Sequence, residues 1–139
     1  MAEYVNLRKL IFPAPVAVLF AAFANLIWYF IASSLFPASA DAGKGAVNVY
    51  STVFATIIYW VIGLILFAVL ARISKRPITH FTILAIVALC ISFIFPIGAA
   101  QGQLPNGATL DTTMVIVLEV MHIIAAAVGL PLILNWVKK

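Results

Sequence analysis

The chain has 139 residues, of which 65% are hydrophobic and 9% charged, with a net charge of +4; its mean hydropathy is +1.20. Soluble domains carry about 25% charged residues, so a water-soluble globule is excluded. Disordered and collagen-like chains are excluded too, because apolar residues dominate and Gly and Pro number seven each. What remains is an all-α polytopic membrane protein.

The first apolar run covers residues 11–36 and follows Arg8 and Lys9. With Ala38-Ser39-Ala40 behind it, the segment resembles a signal peptide. A signal h-region runs roughly 7–15 residues and this run is much longer, so it is expected to remain as a span. Transmembrane helices pack through small residues and a few hydrogen bonds. The inward stripe expected here is Ala21, Asn25, Trp28 and Ala32.

After a polar connection at 37–48 comes the second run, 49–71, with Thr52, Thr56, Tyr59 and Gly63 at helical spacing. A tight basic connection, 72–77, leads to the third, 78–97, whose stripe is Ala85, Leu89, Ser92 and Pro96. The connection 98–111 leads to the fourth, 112–136, with Glu119, His122, Ala126 and Gly129 on one expected face. Pro131 removes a backbone donor there, so a kink is expected just beyond Gly129.

Each run satisfies the length of roughly 20 helical residues that a bilayer requires, and short connections favour an up-and-down four-helix bundle. Seven of the eight Lys and Arg (Arg8, Lys9, Arg72, Lys75, Arg76, Lys138 and Lys139) fall on one side of such a bundle, and only Lys44 on the other. The positive-inside bias therefore puts both termini in the cytoplasm. The basic residues report topology rather than nucleic-acid binding. Tyr4 and Trp136 suit one membrane interface, and Tyr50 the other.

Counting about 1.5 Å per residue from the far end of each span puts Asn25, Tyr59 and His122 near mid-depth, with Thr56 and Glu119 somewhat shallower. The expected candidate site is one buried polar cluster of Asn25, Thr56, Tyr59, Glu119 and His122. Glu119 is its sharpest member, since an intramembrane acid must stay protonated or find a cation. His122, one turn along, is the expected partner. The cluster binds a ligand or proton, or else clasps the helices together.

Specific chemistries fit poorly. Glu119 and His122 match the Glu-x-x-His spacing of di-iron bundles, but Glu3, Asp41 and Asp111 lie outside the spans and cannot complete such a site. His80 and His122 stand too far apart in height to share a haem, although His122 alone remains a candidate ligand for a haem or chlorophyll-type pigment. No G-x-S-x-G elbow is present. Cys90 is the lone cysteine, which excludes an intramolecular disulfide or a multi-cysteine metal site. No catalytic residue, metal site or cofactor is expected.

Asn25 in an Ala-rich first span, Ala71-Arg72 ending the second, Ser92 and Pro96 in the third, and His122-Ile-Ile-Ala-Ala-Ala with Pro131 in the fourth resemble a group of short bacterial four-helix integral membrane proteins without an assigned activity. The resemblance covers nearly the whole chain and implies a bacterial cytoplasmic (inner) membrane location. It carries over no catalytic residue. The expected function is a non-enzymatic accessory or scaffolding subunit, packed in the lipid bilayer against a membrane-protein partner or a second copy. The alternatives are a small-ligand, lipid or proton-coupled binding or transport protein, and a pigment-binding subunit.

Overall fold

A computed structural model of the chain describes residues 5–43, 47–101 and 110–137; Glu3, Tyr4, Lys44, Lys138 and Lys139 lie outside them. The described residues form helices, with no strand among them. A 3-10 turn, Leu7–Leu10, leads into α1 (Pro13–Leu35), followed by a short α2 (Pro37–Gly43). The long α3 (Val49–Ile73), α4 (Pro77–Ser92), a short α5 (Ile94–Ala100) and α6 (Thr112–Val137) complete the chain. Four stretches are long and apolar enough to cross a membrane: Leu7–Leu35, Val49–Ile73, Pro77–Ala100 and Thr112–Val137. The protein is thus a multi-pass membrane protein, with four spans among the described residues.

Local sequence explains where the helices begin. Pro13 and Pro77 open α1 and α4, where a missing N–H has no helical partner to lose. Asn48 caps α3: its side chain accepts from Ser51 N at 3.0 Å, and its own N–H donates to Ser51 Oγ at 2.9 Å. The Asp111 carboxylate accepts from Met114 N at 2.7 Å, capping α6. The third span, expected to be continuous, is divided at Phe93. Pro96 explains the division, because it offers no donor to the Ser92 carbonyl and its ring crowds that group. Pro131, by contrast, lies inside an α6 that continues to Val137.

The helices run up and down. The α1–α6 interface is the most extensive; α1 also packs on α3, α3 on α4, and α4 on α6. Leu10 and Ala14 near the start of the chain share an apolar cluster with Ile133 and Val137 near its end. Trp60 and Phe67 of α3 and Phe81 of α4 belong to that cluster. At the opposite end a second cluster joins Ala32 to Met114, Val117 and Met121. Ala14, Ala17 and Ala21 form a small-residue stripe that lets α1 approach its neighbours closely, and the last two are fully buried.

The expected α1 stripe is the observed one: Ala21, Asn25 and Ala32 are buried and Trp28 is half-buried. In α3 the face is turned. Its buried residues are Thr52, Thr56, Trp60 and Phe67, whereas Tyr59 is 69% exposed and lies outside any buried cluster. A Cβ on Gly63 would touch nothing. The cause is Trp60, whose indole occupies the place where a side chain on Gly129 of α6 would stand. Steps of four put Thr52, Thr56 and Trp60 in one nearly straight row, and the largest side chain goes where the facing helix has none.

Gly129→Ala is accordingly expected to destabilise the protein by about 1–3 kcal/mol, the usual cost of overpacking. The measurement is the thermal unfolding midpoint in detergent micelles. Adding Trp60→Leu should recover part of the loss, since the two residues share one space. An unchanged midpoint for Gly129→Ala would mean that the indole is seated elsewhere.

Candidate functional site

The five residues expected to form one polar cluster do not all come together: Asn25 and Thr56 meet, and Tyr59, Glu119 and His122 lie elsewhere. Asn25 and Thr56 meet between α1 and α3, where Asn25 Nδ2 donates to Thr56 Oγ1 at 3.0 Å. The Thr56 hydroxyl in turn donates to the Thr52 carbonyl at 2.7 Å. Thr52 itself is buried beside them, so three polar side chains lie within about one helical turn of the interface. Two atoms there, Asn25 Oδ1 and Thr52 Oγ1, are buried without a hydrogen-bond partner among the described residues. Neither Asn25 nor either threonine belongs to one of the two apolar clusters.

A second polar contact ties α1 to α6. Trp28 Nε1 donates to the backbone carbonyl of Val117 at 3.1 Å, which fixes the register of the two antiparallel helices. Interhelical hydrogen bonds within membranes contribute about 0.6 kcal/mol on average and up to about 1.7. Trp28→Phe keeps most of the apolar ring and removes the donor, so the expected loss lies in that range. Equilibrium unfolding in mixed micelles measures it; a loss well beyond that range would mean that Trp28 acts mainly through packing.

Glu119 and His122 lie on a different flank, half-buried on α6. The buried residues of α6 are Met114, Val115, Val117, Met121, Gly129, Ile133 and Val137. His122 Nδ1 lies 2.7 Å from the Leu118 carbonyl. A carbonyl only accepts, so Nδ1 carries the proton and Nε2 is left as the free ring position. The imidazole stands edge-on to Phe93, with ring centroids 6.4 Å apart. His122 thus faces the junction of α4 and α5.

Glu119 does not pair with His122. It makes no hydrogen bond or ion pair among the described residues, and neither its carboxyl nor His122 Nε2 is among the buried atoms without a partner. Both groups therefore keep some accessible surface. One turn before Glu119 stands Ile116, 54% exposed; one turn after it stands Ile123, 47% exposed. The carboxyl is held at the edge of an outward-facing apolar stripe, about 10 Å from the start of α6 by helical rise.

The chain belongs to DUF6069. This is a family of unknown function, and its model matches residues 5–138. No curated protein and no solved structure matches the chain. Membership agrees with the resemblance to uncharacterised four-helix membrane proteins.

Elsewhere in this DUF6069 chain a small polar group sits at the turn between α3 and α4. Ser74 Oγ lies 2.8 Å from His80 Nδ1 and accepts from Arg76 N at 2.9 Å, which shapes the connection between α3 and α4. Cys90 is an exposed free thiol on α4. Among the described residues, no three of His, Cys, Asp and Glu come together as a set that could hold a metal ion. Reading by helical spacing passed over Trp28 as a donor and Thr52 as an unpartnered hydroxyl. The row of Thr52, Thr56 and Trp60 was the available signal for the second of these.

Proposed function

We propose that this protein is a non-enzymatic accessory subunit of the bacterial cytoplasmic membrane, which packs sideways against a second transmembrane protein with Glu119 as the polar anchor of the contact. One observation carries the reading. Glu119 is half-buried within a spanning helix, has no partner in its own chain among the described residues, and sits between the exposed Ile116 and Ile123. A carboxyl in hydrocarbon is costly when unpaired, and a donor from a neighbouring helix removes that cost. His122 Nε2, one turn along and on the same flank, offers a second polar point. The short extramembrane connections favour a role within the bilayer.

The basic connection fits termini on the cytoplasmic side. Arg8, Arg72, Lys75 and Arg76 are exposed at the end of the bundle where α1 begins and α3 ends. Native mass spectrometry of material extracted gently from its own membrane tests the proposal. The expected result is a stoichiometric second transmembrane chain, either a different protein or another copy. A solitary monomer at native membrane density overturns the reading.

A further inference from the structure

The α1–α3 interface contains two polar atoms that the chain leaves unpaired, Asn25 Oδ1 and Thr52 Oγ1, on side chains only 4% and 7% exposed. They belong to α1 and α3, whereas Glu119 belongs to α6. We infer that this interface is a binding site for one small neutral molecule that both donates and accepts hydrogen bonds, and that its occupant is a water bridging Asn25 to Thr52.

The hydrogen-bond network defines what can fit. The Thr56 hydroxyl gives its proton to the Thr52 carbonyl and receives one from Asn25 Nδ2. The Asn25 carbonyl oxygen is thereby turned away from Thr56 and needs a donor. Thr52 Oγ1 can donate or accept. Turning the Asn25 amide over, so that Oδ1 faces Thr56, changes which atom is left and not the fact that one is left. An occupant able to play both parts satisfies either arrangement, and water is the smallest such molecule.

Leaving both atoms dry costs their full desolvation, which exceeds the entropy lost on immobilising one water. Buried waters typically make about three hydrogen bonds. Beyond the two unpaired atoms, the second lone pair of Thr56 Oγ1 and the second proton of Asn25 Nδ2 are available. A cation is disfavoured by charge. The described acids are Asp41 and Asp111 beyond the spans and Glu119 on the flank of α6. None lies in the α1–α3 interface, so an ion there would be uncompensated in a medium that penalises bare charge.

The sign of one substitution separates the possibilities. Thr52→Val keeps the shape of the side chain and removes the hydroxyl. With a bridging water, it strands Asn25 Oδ1 and lowers the unfolding midpoint by about 3–5 °C. If the hydroxyl is instead a dry, unpaired group, the same substitution raises the midpoint. Thr52→Ser, which keeps the hydroxyl, holds the midpoint close to wild type. Water–protein cross-peaks to the Asn25 side-chain amide, recorded by NMR on the full chain in micelles, are expected in wild type and Thr52→Ser and lost in Thr52→Val. A raised midpoint in Thr52→Val, or no cross-peak in wild type, overturns the inference. A midpoint that changes when sodium is exchanged for choline overturns the neutral occupant.

Discussion

Phe67→Ala is expected to cost about 3–5 kcal/mol and to loosen α4 first. Phe67 is fully buried in α3, and its ring packs on Phe81 of α4 with centroids 4.8 Å apart and planes tilted by 52°. Within α4, only Pro77 and Phe81 are buried. The rest of that helix is half-buried or exposed, so the Phe67–Phe81 contact is its main attachment to the other helices. Removing a buried aromatic ring loses its dispersion contacts whether the surroundings are water or lipid, and the magnitude follows large-to-small substitutions in cores. Hydrogen exchange resolved by segment is the informative measurement. Protection should fall in α4 while the α1–α6 pair, tied by Trp28 to Val117 and by its alanine stripe, retains its own. A uniform loss over all four spans would mean that the bundle opens as one unit and that α4 has no separate attachment.

The sequence made the spans legible because hydropathy over about 20 residues is a strong signal in a chain with so few charges. It made the contact face of α1 legible for another reason: its alanines and Asn25 differ from their neighbours in size or polarity, and such residues mark contact faces. In the third span Pro96 of α5 is buried as expected, but the buried residues of α4 are Pro77 and Phe81, outside the expected stripe. Faces composed of large apolar residues carry no comparable mark. In water the buried side of a helix is the apolar side, but lipid is as apolar as the protein core, so Tyr59 and Trp60 are equally plausible inward residues. Their order is decided by Gly129 on a helix far away in sequence, which no reading of α3 alone reveals. The same applies to α6. Polarity suggested that Glu119 and His122 face inward, while Met121 packs in the cluster that holds Ala32 of α1 and Gly129 lies under the Trp60 indole of α3, leaving the two ionisable residues on the flank. Of the expected polar cluster Asn25 and Thr56 meet, while Tyr59, Glu119 and His122 share their depth but not their direction, and depth alone does not fix direction around a helix.

That flank position gives Glu119 a testable consequence that an internal clasp does not share. Glu119→Leu should leave the isolated chain as stable as wild type or slightly more so, because the carboxyl has no partner to lose among the described residues. Its effect should fall on association. If the partner helix presents a cation, Glu119→Leu strands that charge in the membrane; breaking a buried pair costs about 3–5 kcal/mol, more than about 100-fold in affinity. If the partner presents a neutral hydrogen-bonding group, the loss is nearer the 0.6–1.7 kcal/mol range of interhelical hydrogen bonds, about 3–20-fold. Glu119→Gln separates the two, since an amide replaces a protonated carboxyl in a neutral pair but not a carboxylate beside a cation. Co-purification yield at fixed detergent, with the unfolding midpoint of each isolated variant measured in parallel, provides both readouts. A lower midpoint for isolated Glu119→Leu with unchanged association would place the role of this acid inside the bundle, and the carboxyl would then be a fold element and not a docking point.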